Sequence, residues 1–110
     1  MAFKENLVID QGATFTHDIA LKYANNDARD LSGYTGTGKI KKWYSYSNTE
    51  VDFTVSIPTP TNGIVSISLT AVQTDALEFG RFVYDVEIES AGTVERIREG
   101  LATVSPSVTK

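Results

Sequence analysis

A chain of 110 residues with 41% hydrophobic content reads as one globular domain, residues 1–110, large enough to bury a core without covalent staples. Ten Lys and Arg against 14 Asp and Glu leave a net charge of −4, which argues against nucleic-acid binding and against a polybasic membrane surface. The absence of cysteine excludes disulfides, thiolate zinc sites and cysteine nucleophiles. The N-terminus lacks an apolar run of signal-peptide length, and no stretch approaches a membrane span, so a soluble chain without an export signal is expected.

In chain order, Leu7-Val8-Ile9 is a short apolar run stopped by the turn signal Asp10-Gln11-Gly12. Phe15, His17, Ile19, Leu21 and Tyr23 then alternate with polar or small residues, the period of a half-buried strand. Asn25-Asn26-Asp27 suits a tight turn with positive φ, and Leu31 at the corner Leu31-Ser32-Gly33-Tyr34 is placed to anchor its loop on the core. Gly36 and Gly38 precede a strand over Lys39–Tyr46, whose two faces are both mixed, so alternation does not orient it. Val51, Phe53, Val55 and Ile57 alternate cleanly and should pair across a hairpin with Val65, Ile67 and Leu69; the connection Pro58–Gly63 ends in an Asn-Gly suited to φ > 0.

Thr70-Ala71-Val72-Gln73 fits a capping box and predicts at most two helical turns before Gly80. Beyond it, Phe82, Tyr84, Val86 and Ile88 share one strand face, while Val83, Asp85, Glu87 and Glu89 share the other. Ala91-Gly92-Thr93 turns the chain into a last strand over Val94–Val104, with a bulge expected near Arg98-Glu99-Gly100 and an end at Pro106. This gives about seven strands and one short helix near Thr70–Leu77 that carries the chain from one sheet to the other. The natural class is an all-β antiparallel sandwich, with a small closed barrel as the alternative.

Chemistry is sparse. His17 falls in phase with Phe15 and Ile19 on the face read as buried. A general base or metal ligand is conceivable there, but the expectation is a strand histidine hydrogen-bonded at the core margin. Gly33-Tyr34-Thr35-Gly36-Thr37-Gly38-Lys39 superficially resembles a phosphate loop; it fails the spacing and enters a strand where phosphate binding needs a helix N-terminus. Asn25, Asn26, Asp27 and Asp30 could gather around calcium, yet Asx-rich turns arise for backbone reasons alone. Asp85, Glu87 and Glu89 read as a solvated outer face, not a glycosidase pair. No base–nucleophile pairing stands out, so no enzyme, cofactor or metal site is expected. Trp43, Tyr44 and Tyr46, flanked by Lys39, Lys41 and Lys42, form the densest aromatic cluster. Trp43 is expected in the core, leaving Lys41, Tyr44 and Tyr46 as a candidate protein-contact surface. The alternative is a sugar-stacking platform of Trp43, Tyr44 and Tyr46.

The run Ile9-Asp10-Gln11-Gly12-Ala13-Thr14-Phe15, then Asp30-Leu31-Ser32-Gly33-Tyr34-Thr35, Asn62-Gly63-Ile64-Val65-Ser66-Ile67-Ser68-Leu69-Thr70, Ala76-Leu77, Gly80-Arg81-Phe82-Val83-Tyr84-Asp85-Val86, Glu99-Gly100 and Val104-Ser105-Pro106 resembles the small immunoglobulin-like structural domains of tailed bacteriophages. It is similar in particular to the N-terminal, virion-attaching domain of upper baseplate proteins, over nearly the whole chain. The resemblance implies an immunoglobulin-like sandwich and a non-enzymatic virion component, assembled in the host cytoplasm, on tail, baseplate or neck. Decoration of the capsid surface is the alternative, and a carbohydrate-binding or adhesion module a second. The partners it implies are other virion proteins in many symmetric copies, with no nucleic acid, no membrane and at most incidental glycan binding. The long C-terminal receptor-binding region of baseplate proteins does not follow in this sequence, so an accessory or attachment role is expected in place of direct host recognition. The segments Met1–Asn6 and Pro106–Lys110 are expected to order only in the assembly.

Overall fold

The computed structural model describes residues 3–42 and 51–106. Its strands are β1 (Phe3–Lys4), β2 (Leu7–Asp10), β3 (Phe15–Ala20), β4 (Thr35–Lys41), β5 (Val51–Ser56), β6 (Ile64–Leu69), β7 (Gly80–Ser90) and β8 (Thr93–Ser105), with a 3-10 turn over Pro60–Asn62 between β5 and β6 and an α-helix, α1 (Ala71–Asp75), between β6 and β7. Hydrogen bonding runs β1-β8-β7-β4-β5-β6-β3, and β2 also lies on β8. The path changes layer within β5: Val51, Asp52 and Phe53 pair with β4, whereas Thr54, Val55 and Ser56 pair with β6. A β3-β6-β5 layer thus faces a β8-β7-β4 layer, and α1 makes the crossing from one to the other. This order, with the first strands running parallel along the last one, is that of an immunoglobulin-like sandwich. Among the described residues the ends of the path do not pair with each other, so the barrel alternative falls.

The two inward faces explain the alternation. Ile19, Val65, Ile67 and Leu69 of one layer meet Ile40, Phe82, Tyr84, Val86, Ile88, Ala102 and Val104 of the other, with Leu7, Ile9, Leu31 and Leu77 closing the ends. Phe53 packs edge-on against Tyr84, ring centroids 6.1 Å apart at 82°. The expected pairing of Val51–Ile57 with Val65–Leu69 is present, as Val55 opposite Ile67.

Several expectations need correcting. The described residues form eight strands, the extra one being β1. Two residues carry no periodicity to read; β1 forms because Phe3 lies under the Arg98 guanidinium, 4.9 Å from the ring centroid, and the Glu5 amide donates to the Glu99 carbonyl. Residues 3–6 are therefore placed by the domain itself, with no assembly required. β4 starts at Thr35, not Lys39, so the glycine-rich stretch is strand. Gly36 and Gly38 are packing glycines: a Cβ at Gly36 would meet Val55 Cγ1 at 2.5 Å, and one at Gly38 would meet the Phe53 ring at 3.0 Å. The bulge sits one residue before the predicted stretch. Val86 faces Arg98 and Glu87 faces Arg96, leaving Ile97 as the inserted residue. Gly100 serves a different purpose, since a Cβ there would lie 2.3 Å from the Glu5 carbonyl oxygen. That close approach lets the strap from β1 to β2 lie on β8, where Tyr84 Oη donates to the same Glu5 carbonyl at 2.6 Å.

Candidate interaction surface

The groups that carried candidate chemistry are dispersed. His17 is half-buried at the margin, its Nε2 3.2 Å from Glu5 Oε1, and Arg98 Nε lies 3.2 Å from that same oxygen. It is the hydrogen-bonded strand histidine of the sequence expectation, placed at the open side of the sandwich and not deep within it. Asn25 and Asp27 close on themselves: Asn25 Nδ2 donates to Asp27 Oδ2, and the Asp27 amide donates to Asn25 Oδ1. Asp30 accepts from both the amide and the hydroxyl of Ser32, which hold its carboxyl below the usual carboxylate range. Each acid is thus engaged in its own turn, and among the described residues no three His, Asp or Glu side chains converge on one point.

Tyr44 and Tyr46, like Trp43, lie outside the described residues. Lys41 is placed, half-buried on the outer face of β4 opposite Val83. The orientation that alternation could not supply comes from Ile40, which is fully buried and turns Lys39 and Lys41 outward. With Val83, Asp85, Glu87 and Arg96 they line a groove of about 480 Å³ on the outer face of β4, β7 and β8. Arg96 is its hub, 3.4 Å from Asp85, 3.9 Å from Glu87 and 3.7 Å from Glu99, while Lys39 pairs with Asp52 at 3.4 Å. Asp85 and Glu87 of β7 thus lie on a solvated face paired with Arg96; such exposed pairs contribute little individually.

Sequence reasoning passed over a second feature. Among the described residues β3 is the terminal strand of its layer, because β1 and β2 both lie on β8 and no other described strand pairs with the far side of β3. The direction of its backbone groups follows from one bond. The Leu21 amide donates to the Gly63 carbonyl at 2.8 Å, and in this register Leu21 faces Gly63. Antiparallel pairs alternate, so Phe15, His17 and Ile19 direct their N–H and C=O groups at β6. Thr16, Asp18 and Ala20, all exposed, direct theirs away from the domain. The signal was present in the clean period of two over 15–20; what the sequence hid was that no strand would cover it.

Sequence also missed how α1 is docked. Thr74 is fully buried, and its hydroxyl accepts from the Gly12 amide at 3.0 Å and donates to the Ala13 carbonyl at 2.8 Å. Gln11 Nε2 donates to the Leu77 carbonyl at 2.8 Å. These bonds fix the β2–β3 corner on the crossover.

No family model and no curated protein sequence matches the chain. Among solved structures it is similar to the crystal structure of the Lin-41 filamin domain, with 14% identity and a TM-score of 0.45, over 89% of this chain and 82% of that one. The immunoglobulin-like assignment stands on the strand order of the chain itself.

Proposed function

We propose that this chain is a non-enzymatic structural module of a tailed-bacteriophage particle, an accessory or attachment domain mounted on tail, baseplate or neck among other virion proteins in many symmetric copies. The sequence resemblance to virion-attaching domains supports the particle. The observation that carries a binding role is the uncovered edge of β3, which offers the outward donors and acceptors of Thr16, Asp18 and Ala20. A rigid sandwich with an open strand edge suits assembly by strand addition, each contact weak and the array strong. The groove around Lys41 would serve as a second, polar contact.

The experiment is electron microscopy of particles carrying a labelled copy of this chain. Density on tail, baseplate or neck supports the reading. Label on the head surface moves the chain to capsid decoration, and its absence from purified particles overturns the proposal. Micromolar binding on a glycan array, lost on Trp43→Ala, would favour the carbohydrate alternative.

A further inference from the structure

We infer that the open edge of β3 pairs with the same edge of a second copy, antiparallel and across a two-fold axis through His17; the inference rests on the proposed assembly role for the reason a weak edge contact would be kept. An edge strand is ordinarily blunted by lysine, proline, a bulge or a cover. Phe15-Thr16-His17-Asp18-Ile19-Ala20 has none of these, and Asp18 is its one fixed charge.

The register follows from geometry and charge. Outward backbone groups belong to even-numbered residues, so a two-fold pairing must set even against even, which places the axis on a residue and not between two. Only axes through residue 17 or residue 18 overlap five of the six strand residues. An axis through 18 opposes Asp18 to its own copy, a destabilising like-charge pair. An axis through 17 opposes Thr16 to Asp18 of the second copy, twice. There the amide and carbonyl of Thr16 exchange hydrogen bonds with those of Asp18, four bonds in all, and the threonine hydroxyl can donate to a carboxylate. In this structure Asp18 Oδ1 already accepts from Ser66 Oγ at 2.7 Å, which leaves Oδ2 for the neighbour. Phe15 lies opposite Ile19 on the inner face, extending the apolar layer across the junction. Closed two-fold pairing consumes the edge on both copies, so the contact ends at a dimer, and attachment of that dimer to other virion proteins falls to the groove around Lys41.

The chain has no cysteine, so a single introduced one reports the register cleanly. In the inferred pairing the two copies of residue 17 form a non-hydrogen-bonded pair with Cα atoms about 4.5 Å apart, within disulfide range. The two copies of residue 20 lie roughly 20 Å apart. Under mild oxidation at high protein concentration, His17→Cys should cross-link to a covalent dimer and Ala20→Cys should not. Cross-linking at equal rates, or none at His17→Cys, overturns the inference. Because His17→Cys also removes the Glu5 contact, sedimentation equilibrium with exposed substitutions is the second arm. Thr16→Lys sets lysine against Asp18 twice and should tighten the dimer roughly two- to thirtyfold. Thr16→Lys with Asp18→Lys sets lysine against lysine and should abolish it. A double variant that still dimerises, or a Thr16→Lys that does not tighten, overturns the pairing. Co-sedimentation with particles is read separately. A chain that binds particles while monomeric removes this inference alone, and a dimer that binds none removes only the proposed function.

Discussion

The two poles of the sandwich are held by different physics. At the crossover pole, α1 is fixed to the β2–β3 corner by partly buried neutral hydrogen bonds through Thr74, itself fully buried, and Gln11. At the opposite pole, where the 21–33 loop meets the β7–β8 hairpin, the polar contacts are exposed: the Arg29–Glu95 ion pair, the Asn25–Asp27 turn and the Asp30–Ser32 turn. One apolar side chain, Leu31, is fully buried there, and its amide donates to the Pro60 carbonyl at 2.8 Å. A polar contact is worth most where losing it would strand a buried partner. The first pole should therefore depend on its hydrogen bonds, and the second on its leucine.

The largest effect tests the second half of that statement. Leu31→Ala removes a fully buried side chain and should cost about 3 kcal/mol in urea denaturation, with hydrogen exchange quickening at Tyr34, whose amide is bonded to the residue 31 carbonyl. A cost under about 1 kcal/mol would mean that the polar turns hold this pole by themselves. Thr74→Val tests the other pole at nearly constant volume. It leaves the Gly12 amide without its acceptor and the Ala13 carbonyl without its donor, for about 2 kcal/mol. If the variant melts like the parent, water has replaced the hydroxyl and the contrast between the poles disappears.

Much of this was legible in the sequence because the responsible interactions are local or periodic. The Thr70–Gln73 capping box is present with both of its bonds. Asn26 takes φ 73° and Gly63 φ 69°, where Asx and Asn-Gly signals placed positive φ, and Leu31 anchors its loop as its position implied. The misses are long-range. Thr74 gives no local signal of its burial because its partners Gly12 and Ala13 lie more than 60 positions away. Gly36 and Gly38 read as residues preceding a strand and Gly100 as the mark of a bulge, yet each answers to an approaching atom from a distant part of the chain, which no single segment encodes. The candidate site was the least legible part. An open edge is a fact about where β1 and β2 go, and their choice of β8 depends on Glu5, Arg98 and Gly100 acting together.

A smaller effect has the opposite sign. Ser90 and Thr93 close a two-residue hairpin in which Ala91 takes φ 52° and Gly92 φ 85°. Both values suit the turn that follows strand twist, but alanine is strained in the left-handed region whereas asparagine is tolerant there. Ala91→Asn should stabilise by about 0.5–1 kcal/mol, raising the midpoint of thermal unfolding, while Gly92→Ala should lower it. No gain from asparagine would show that the hairpin is set by the long β7–β8 ladder and is indifferent to its turn.

The smallest effect concerns the ion pair that ties the loop to β8. Arg29 reaches both carboxylate oxygens of Glu95, at 3.0 and 3.2 Å, and those hydrogen bonds hold the Glu95 carboxyl below its usual value against a smaller opposing effect of burial. A carboxyl depressed in the folded state contributes stability that is complete above its unfolded pKa and is lost as pH falls through the folded one. The contribution should therefore be present at neutrality and vanish on acidification below the ordinary glutamate range. Nearly half the Glu95 side chain is exposed, at 46%, so solvent and salt screen the pair and its worth should stay under about 1 kcal/mol. Glu95→Gln checks this directly: the stability gap between parent and variant should be small at pH 7, smaller in high salt, and closed at pH 3. A gap of several kcal/mol at pH 7 would mean that this bidentate contact, and not Leu31, secures the outer pole.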